Sequence, residues 1–171
     1  MTGELGAQLR GFLAADFASW SGLPERLTLG ELEGVVLAPD VSGAGRLGAD
    51  RYEARWVAAE SRVYESGLRV WTGGDEVLLI QGDHPVDAAG APAVAPDLGE
   101  PELTGDTLLG DITLRGGELV YAARGLTLHV NPGNGLLLGA LGFAPTTPEL
   151  YVARLRPEVP PLRTLLTGGA Q

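Results

Sequence analysis

Ala38-Pro39-Asp40-Val41, followed by Val63-Tyr64 and Gly67-Leu68, returns later in the chain as Ala95-Pro96-Asp97-Leu98, Val120-Tyr121 and Gly125-Leu126. The copies stand 57 residues apart at the Ala-Pro-Asp run (38 to 95), 58 at Gly-Leu (67 to 125) and 60 from Pro85 to Pro145. Slow drift of that kind is what loop insertions leave in a duplicated unit. The echo predicts two similar β-meanders, residues 38–85 and 95–145, inside one domain spanning 1–171.

Within the first copy, Tyr52–Ala58 and Arg62–Tyr64 read as short strands. Residues 50–66 also fit a helix face through Tyr52, Trp56, Ala59 and Val63, and the echoed segment in the second copy tips the choice toward strands. Leu68–Thr72 and Val77–Gln81 flank Gly73-Gly74-Asp75, a hairpin signature. In the second copy, Ile112–Arg115 and Glu118–Tyr121 flank Gly116-Gly117, which reads as a two-residue hairpin turn. Leu126–Val130, a turn at 131–135 and Leu136–Phe143 complete that unit. Residues 83–106, rich in Pro, Gly, Ala and acids, read as the linker.

Helices are expected at both ends. Leu5, Leu9, Phe12, Leu13, Phe17 and Trp20 form one continuous apolar face over 3–20, stopped by Gly22 and Pro24. A second helix starts at Thr28, where Thr28 and Glu31 have capping-box spacing and Leu27 and Leu32 supply the staple, and runs to about Leu37. Thr146 and Glu149 repeat the capping-box spacing ahead of a C-terminal helix bearing Leu150, Tyr151, Val152 and Leu155, with an extended tail to 171. The fold class expected is α+β: a duplicated antiparallel meander sheet packed against N-terminal and C-terminal helices.

Strand alternation then divides the sheet into two faces. Leu68 and Val70 share a face with Leu126, Leu128 and Val130, while Arg69, Trp71, Thr127 and His129 point the other way. An open sheet face carrying Trp and Arg has the composition of a protein-binding surface. The alternative is that the C-terminal tail covers this face and Trp71 is core.

Composition narrows the chemistry. The chain has 171 residues, no cysteine and a net charge of −10, so disulfides, thiol catalysis and thiolate metal sites are excluded and nucleic acid is a poor partner. No base occurs between Arg69 and Arg115, whereas nine acids do, from Asp75 to Asp111. This stretch reads as a solvated acidic face or as a patch for a basic partner. Glu4 and Asp16 interrupt the N-terminus, so no signal peptide is expected, and no run spans a membrane; the expected location is cytoplasmic.

Catalytic patterns are sparse. His84 and His129 are the two imidazoles, and structural roles suit both. The Asp97, Glu100, Glu102 and Asp106 series lacks the spacing of a calcium loop, and the paired glycines do not lead into helices as a phosphate cradle would. No cofactor or metal is expected. Arg124, at the one-residue insertion between copies, is placed to meet a carboxylate of the acidic linker or a ligand anion.

Leu98-Gly99-x-Pro101, the Val120-Tyr121 strand, Gly125-Leu126-x-Leu128 and the following Gly-turn resemble the helix–meander repeat of the β-lactamase-inhibitor-protein-like superfamily, which includes small outer-membrane-assembly lipoproteins. The resemblance implies non-catalytic protein binding through a sheet face, with Tyr64 and Trp71 as the anchors carried over. The functional expectation is therefore a non-enzymatic interaction module, of inhibitor or immunity type, meeting a basic protein through Tyr64, Arg69, Trp71, Tyr121, Arg124 and His129. Two rivals stand beside it: a small-molecule or enzymatic pocket using His129, Tyr121 and Arg124, and a homodimer formed through the sheet face.

Overall fold

The computed structural model describes residues 2–36, 46–53, 58–64, 68–83, 91–109 and 111–155. Eight antiparallel strands form one sheet: β1 (Arg46–Glu53), β2 (Ala58–Tyr64), β3 (Leu68–Gly73), β4 (Glu76–Asp83), β5 (Leu103–Leu109), β6 (Ile112–Tyr121), β7 (Leu126–Val130) and β8 (Leu137–Gly142). Their order is β1-β2-β3-β4-β8-β7-β6-β5. Each half is a four-stranded meander, and the halves meet last strand to last strand. With helices α1 (Thr2–Leu13), α2 (Leu29–Val36) and α3 (Pro148–Leu150) around the sheet, the fold is α+β.

The register of the seam is symmetric. Gln81 faces Leu141, Ile80 faces Gly142 and Gly82 faces Ala140. Within the halves, Leu68 pairs with Gly82 as Leu126 pairs with Gly142, and Val70 pairs with Ile80 as Leu128 pairs with Ala140. A local two-fold axis therefore runs through the Gln81/Leu141 pair. Gly82 and Gly142 flank it on the face covered by α1, and their missing side chains make room for Phe12 and Trp20.

That face holds the larger core: Leu5, Leu9, Phe12, Phe17 and Trp20 from the N-terminal segment against Leu68, Val70, Ile80, Leu126, Leu128 and Ala140 from the strands. The apolar face expected over 3–20 is present, but it is not one helix. α1 stops at Leu13; Ala15 takes φ +62, and a 3-10 turn follows at Phe17–Ser19. The amides of Ala15 and Asp16 bond back to the carbonyls of Phe12 and Gly11, a Schellman closure with alanine where glycine is usual. The break folds the chain back so that Phe17 meets Phe12 edge-on at 5.4 Å and Trp20 meets it at 5.2 Å.

The α2 cap forms as read. The Thr28 amide and hydroxyl both donate to Glu31 Oε1, at 2.9 and 3.0 Å, and the Glu31 amide donates to Thr28 Oγ1 at 3.2 Å. These bonds hold the Glu31 carboxyl below its ordinary pKa, the backbone amide of Thr28 contributing most.

Several sequence expectations are corrected. Residues 50–66 contribute strands, but β1 begins at Arg46 and β2 at Ala58, and residues 54–57 lie outside the described set. The stretch 83–106 is not all linker, because β5 starts at Leu103. Gly116-Gly117 is not a hairpin turn: β6 runs through it, and the hairpin closes where Leu109 pairs with Ile112. The two glycines instead form a bulge, with Gly116 at φ +73 and its amide donating to Asp106 Oδ1 at 3.2 Å. A side chain at Gly117 would strike Thr107 and the Val130 carbonyl. The C-terminal helix is capped one residue later than expected, by Thr147, whose hydroxyl accepts from the Leu150 amide at 3.2 Å. Thr146 gives its amide to the Ala122 carbonyl instead. The helix tightens into three residues and passes into a π turn, Tyr151–Leu155; the tail from 156 lies outside the described residues.

Candidate functional site

The second sheet face carries the residues that alternation assigned to it: Trp71 and Thr127 are buried, and Arg69 and His129 are half-buried. Trp71 is 6% exposed and packs with Leu79, Val120, Ala122, Leu141, Phe143 and Tyr151. Its indole Nε1 donates to Gln81 Oε1 at 2.8 Å, and the Arg69 guanidinium carbon sits 5.8 Å from its ring centroid. Polar groups at this depth need partners, because an unpaired amide or indole N–H away from water costs free energy. Trp71 and Gln81 satisfy each other on β3 and β4. Of the two alternatives for Trp71, burial in the core is the one observed.

On the other half of the same face, Tyr151 reaches down from the π turn. It stacks on Phe143 at 5.2 Å, and its hydroxyl donates to Glu118 Oε2 at 3.0 Å. Glu118 is 4% exposed and is the register partner of His129, whose Nδ1 lies 2.8 Å from Thr107 Oγ1. Thr127, two residues before His129 on β7, is fully buried, and its hydroxyl has no hydrogen-bond partner among the described residues. Neither Glu118 nor Gln81 is a candidate that sequence reading singles out. The signal was available in strand parity, since Glu118 shares its face with Val120, and Gln81 shares its face with Leu79.

The remaining candidates lie elsewhere. Tyr121 points into the α1-covered core and donates to the Gly99 carbonyl at 3.4 Å. Burial raises its phenol pKa, the nearby Asp97 charge raises it further, and Arg124 opposes both. Among the described residues Arg124 meets carbonyls and no anion. Its Nη2 donates to the carbonyls of Ala18 at 2.8 Å, Trp20 at 3.2 Å and Phe17 at 3.4 Å, and its Nε donates to Trp20 O at 3.2 Å. It sits in a 3-10 turn, Ala122–Arg124, ended by Gly125 at φ +64, and it anchors the chain that leads away from α1. Tyr121 and Arg124 are thus neighbours, while His129 is on the opposite face of the sheet. The Tyr64 side chain and the whole of His84 lie outside the described residues.

The acidic stretch leads into and out of β5, the strand at one end of the order: Asp97, Glu100 and Glu102 precede it, Asp106 lies in it and Asp111 follows it. Three of its carboxylates hold the backbone: Asp97 accepts from the Gly99 amide at 3.1 Å, Glu102 from the Ala123 amide at 3.1 Å and Asp106 from Gly116. Glu100 and Asp111 are exposed, as are those three. Among the described residues no three of His, Asp and Glu come together as a metal site would need, and no helix is long and apolar enough to cross a membrane. Comparison with family models, with curated proteins and with solved structures found no match for this chain. The fold defines a class: an α+β protein whose described residues form an eight-stranded antiparallel sheet, with a packed core on each face of its middle strands and exposed carboxylates in and around β5.

Proposed function

We propose that this chain is a non-enzymatic protein-interaction module whose partner is basic, in the manner of an inhibitor or immunity-type protein. One observation carries the proposal: Asp97, Glu100, Glu102, Asp106 and Asp111 are all exposed in and around β5, with no Lys or Arg in the sequence from residue 70 to 114. Such a stretch raises the encounter rate with a cationic partner and disfavours anionic ones. Because Trp71 is buried, the contact surface in this proposal is the acidic stretch rather than the Trp71 face. The register symmetry about Gln81 and Leu141 supports reading the two meanders as copies of one unit. Nothing in the placement of His129 opposite Tyr121 and Arg124 favours the pocket reading.

The test uses affinity capture with the full chain and with a Glu100→Gln/Asp111→Asn variant, which spares the carboxylates that bind backbone amides. Captured proteins should be basic and should be lost both with the variant and at raised salt. Retention of the same proteins by both baits would sink the proposal.

A further inference from the structure

We propose that the β5–β6 hairpin is a self-association arm, in which the free edge of β6 at Ile112–Arg115 pairs antiparallel with the same edge of a second copy. The inference does not rest on the basic-partner reading and uses the β6 edge of the hairpin, with Asp111 as the one residue the two share. β6 is ten residues long, yet β7 pairs with it only over Glu118–Tyr121. Among the described residues, Ile112, Thr113 and Leu114 pair with β5 on one side and with no strand on the other. The Gly116-Gly117 bulge bends the strand at the point where β7 leaves it. Ile112 is 58% exposed, and Asp111, Thr113 and Arg115 are exposed too. An unpaired strand edge with an apolar side chain at its tip is a template for strand addition.

The occupant follows from the edge itself. Leu109 pairs with Ile112 across two intervening residues. In such a hairpin the flanking pair exchanges its hydrogen bonds, so the N–H and C=O of Thr113 and Arg115 point outward. Antiparallel pairing through those groups centres on Leu114. Thr113 then faces Arg115 of the second copy, Leu114 faces its own counterpart, and Ile112 faces Gly116. Asp111 falls diagonal to Arg115 of the other copy, about 7–8 Å between Cα atoms and within arginine's reach. This contact occurs twice by symmetry. A cationic strand laid on the same edge would set its charge against Arg115, which is why a second copy fits better.

Pairing ends at the bulge, so the contact closes as a two-fold dimer rather than growing into a filament. Five residue pairs bury far less than the roughly 1,200 Å² of a standard interface, and the net charge of −10 opposes approach. A weak, reversible dimer is expected.

The absence of cysteine makes a clean test possible. In the proposed register Leu114 and its counterpart form a non-hydrogen-bonded pair with Cα atoms about 4.5 Å apart, inside the disulfide range. The two copies of Ile112 would be about 13 Å apart, at ~3.3 Å per residue. Leu114→Cys should therefore oxidise to a covalent dimer at least about tenfold faster than Ile112→Cys, although Ile112 is the more exposed. Adding Arg115→Glu should slow the Leu114→Cys reaction, and Asp111→Arg with Arg115→Glu should restore it. If Leu114→Cys loses its circular dichroism spectrum, sedimentation equilibrium on the cysteine-free chain and the two charge variants asks the same question. Equal oxidation rates at 112 and 114, or charge variants that leave association unchanged, would overturn the proposal.

Discussion

Gly82 and Gly142 occupy equivalent places about the seam, yet substituting them should have opposite consequences. A methyl group built on Gly142 comes within 2.8 Å of Trp20 Cζ2, 3.0 Å of Ile80 Cγ1 and 3.1 Å of Phe12 Cε2. At Gly82 the one neighbour is Phe12 Cε1, at 3.4 Å. Overpacking a filled core costs about 1–3 kcal/mol, and Trp20 cannot retreat cheaply because its Nε1 is bonded to the Gly125 carbonyl at 2.9 Å. Alanine also removes the conformational entropy that glycine loses in a strand, worth roughly 0.5–1 kcal/mol at either site. Gly142→Ala should thus destabilise the fold by about 1–2 kcal/mol net, lowering Tm by roughly 2–8 °C for a chain of this length. Gly82→Ala should be neutral or raise Tm slightly. Urea and thermal melts followed by tryptophan fluorescence and far-UV circular dichroism read both. A Gly142→Ala variant as stable as Gly82→Ala would refute the packing of α1 across the seam.

Tyr151→Phe leaves the buried Glu118 carboxylate without its phenol donor and should cost about 1.5–3 kcal/mol in urea melts, whereas Tyr121→Phe, losing only a long bond to Gly99, should cost under ~1 kcal/mol. Because the Tyr121 pKa is raised in the fold, its contribution is complete below the unfolded value and is lost as pH rises through the folded one, so Tyr121→Phe should flatten alkaline unfolding. Thr28→Ala removes the α2 cap, at about 1 kcal/mol. Glu31 titrates below its ordinary value in the fold, so its support is present above that value and is lost as pH falls; Glu31→Gln should shrink this part of the acid dependence measured by stability titration. Ala15→Gly relieves a left-handed alanine and should raise Tm.

The parts of the fold legible in the sequence are those with short-range causes. The Thr28/Glu31 cap, the Gly73-Gly74-Asp75 hairpin and the alternation of β3 and β7 each depend on residues a few positions apart. The misreadings share a different origin. Gly116-Gly117 has the local chemistry of a turn, and the long-range pairing of β5 with β6 converts it to a bulge. Ala15 adopts a glycine conformation because Phe12, Phe17 and Trp20 must converge on the sheet, a demand invisible in its own side chain. For the candidate site, parity placed Arg69, Trp71, Thr127 and His129 on one face, but burial on that face depends on Tyr151, contributed by an element elsewhere in the chain. Arg124 was legible as a residue with a long-range bond to make. Its acceptors turned out to be carbonyls near Trp20 rather than carboxylates.

The joining of the two halves through β4 and β8, about the Gln81/Leu141 pair, underlies everything above: the glycine nest for α1, the core on the second face and the placing of β5 at the end of the order. Cross-strand nuclear Overhauser effects in the full-length chain test it directly. Contacts between Ile80 and Gly142 and between Gly82 and Ala140 are the predicted result. Contacts from β4 to β5, the next strand in sequence, would contradict it.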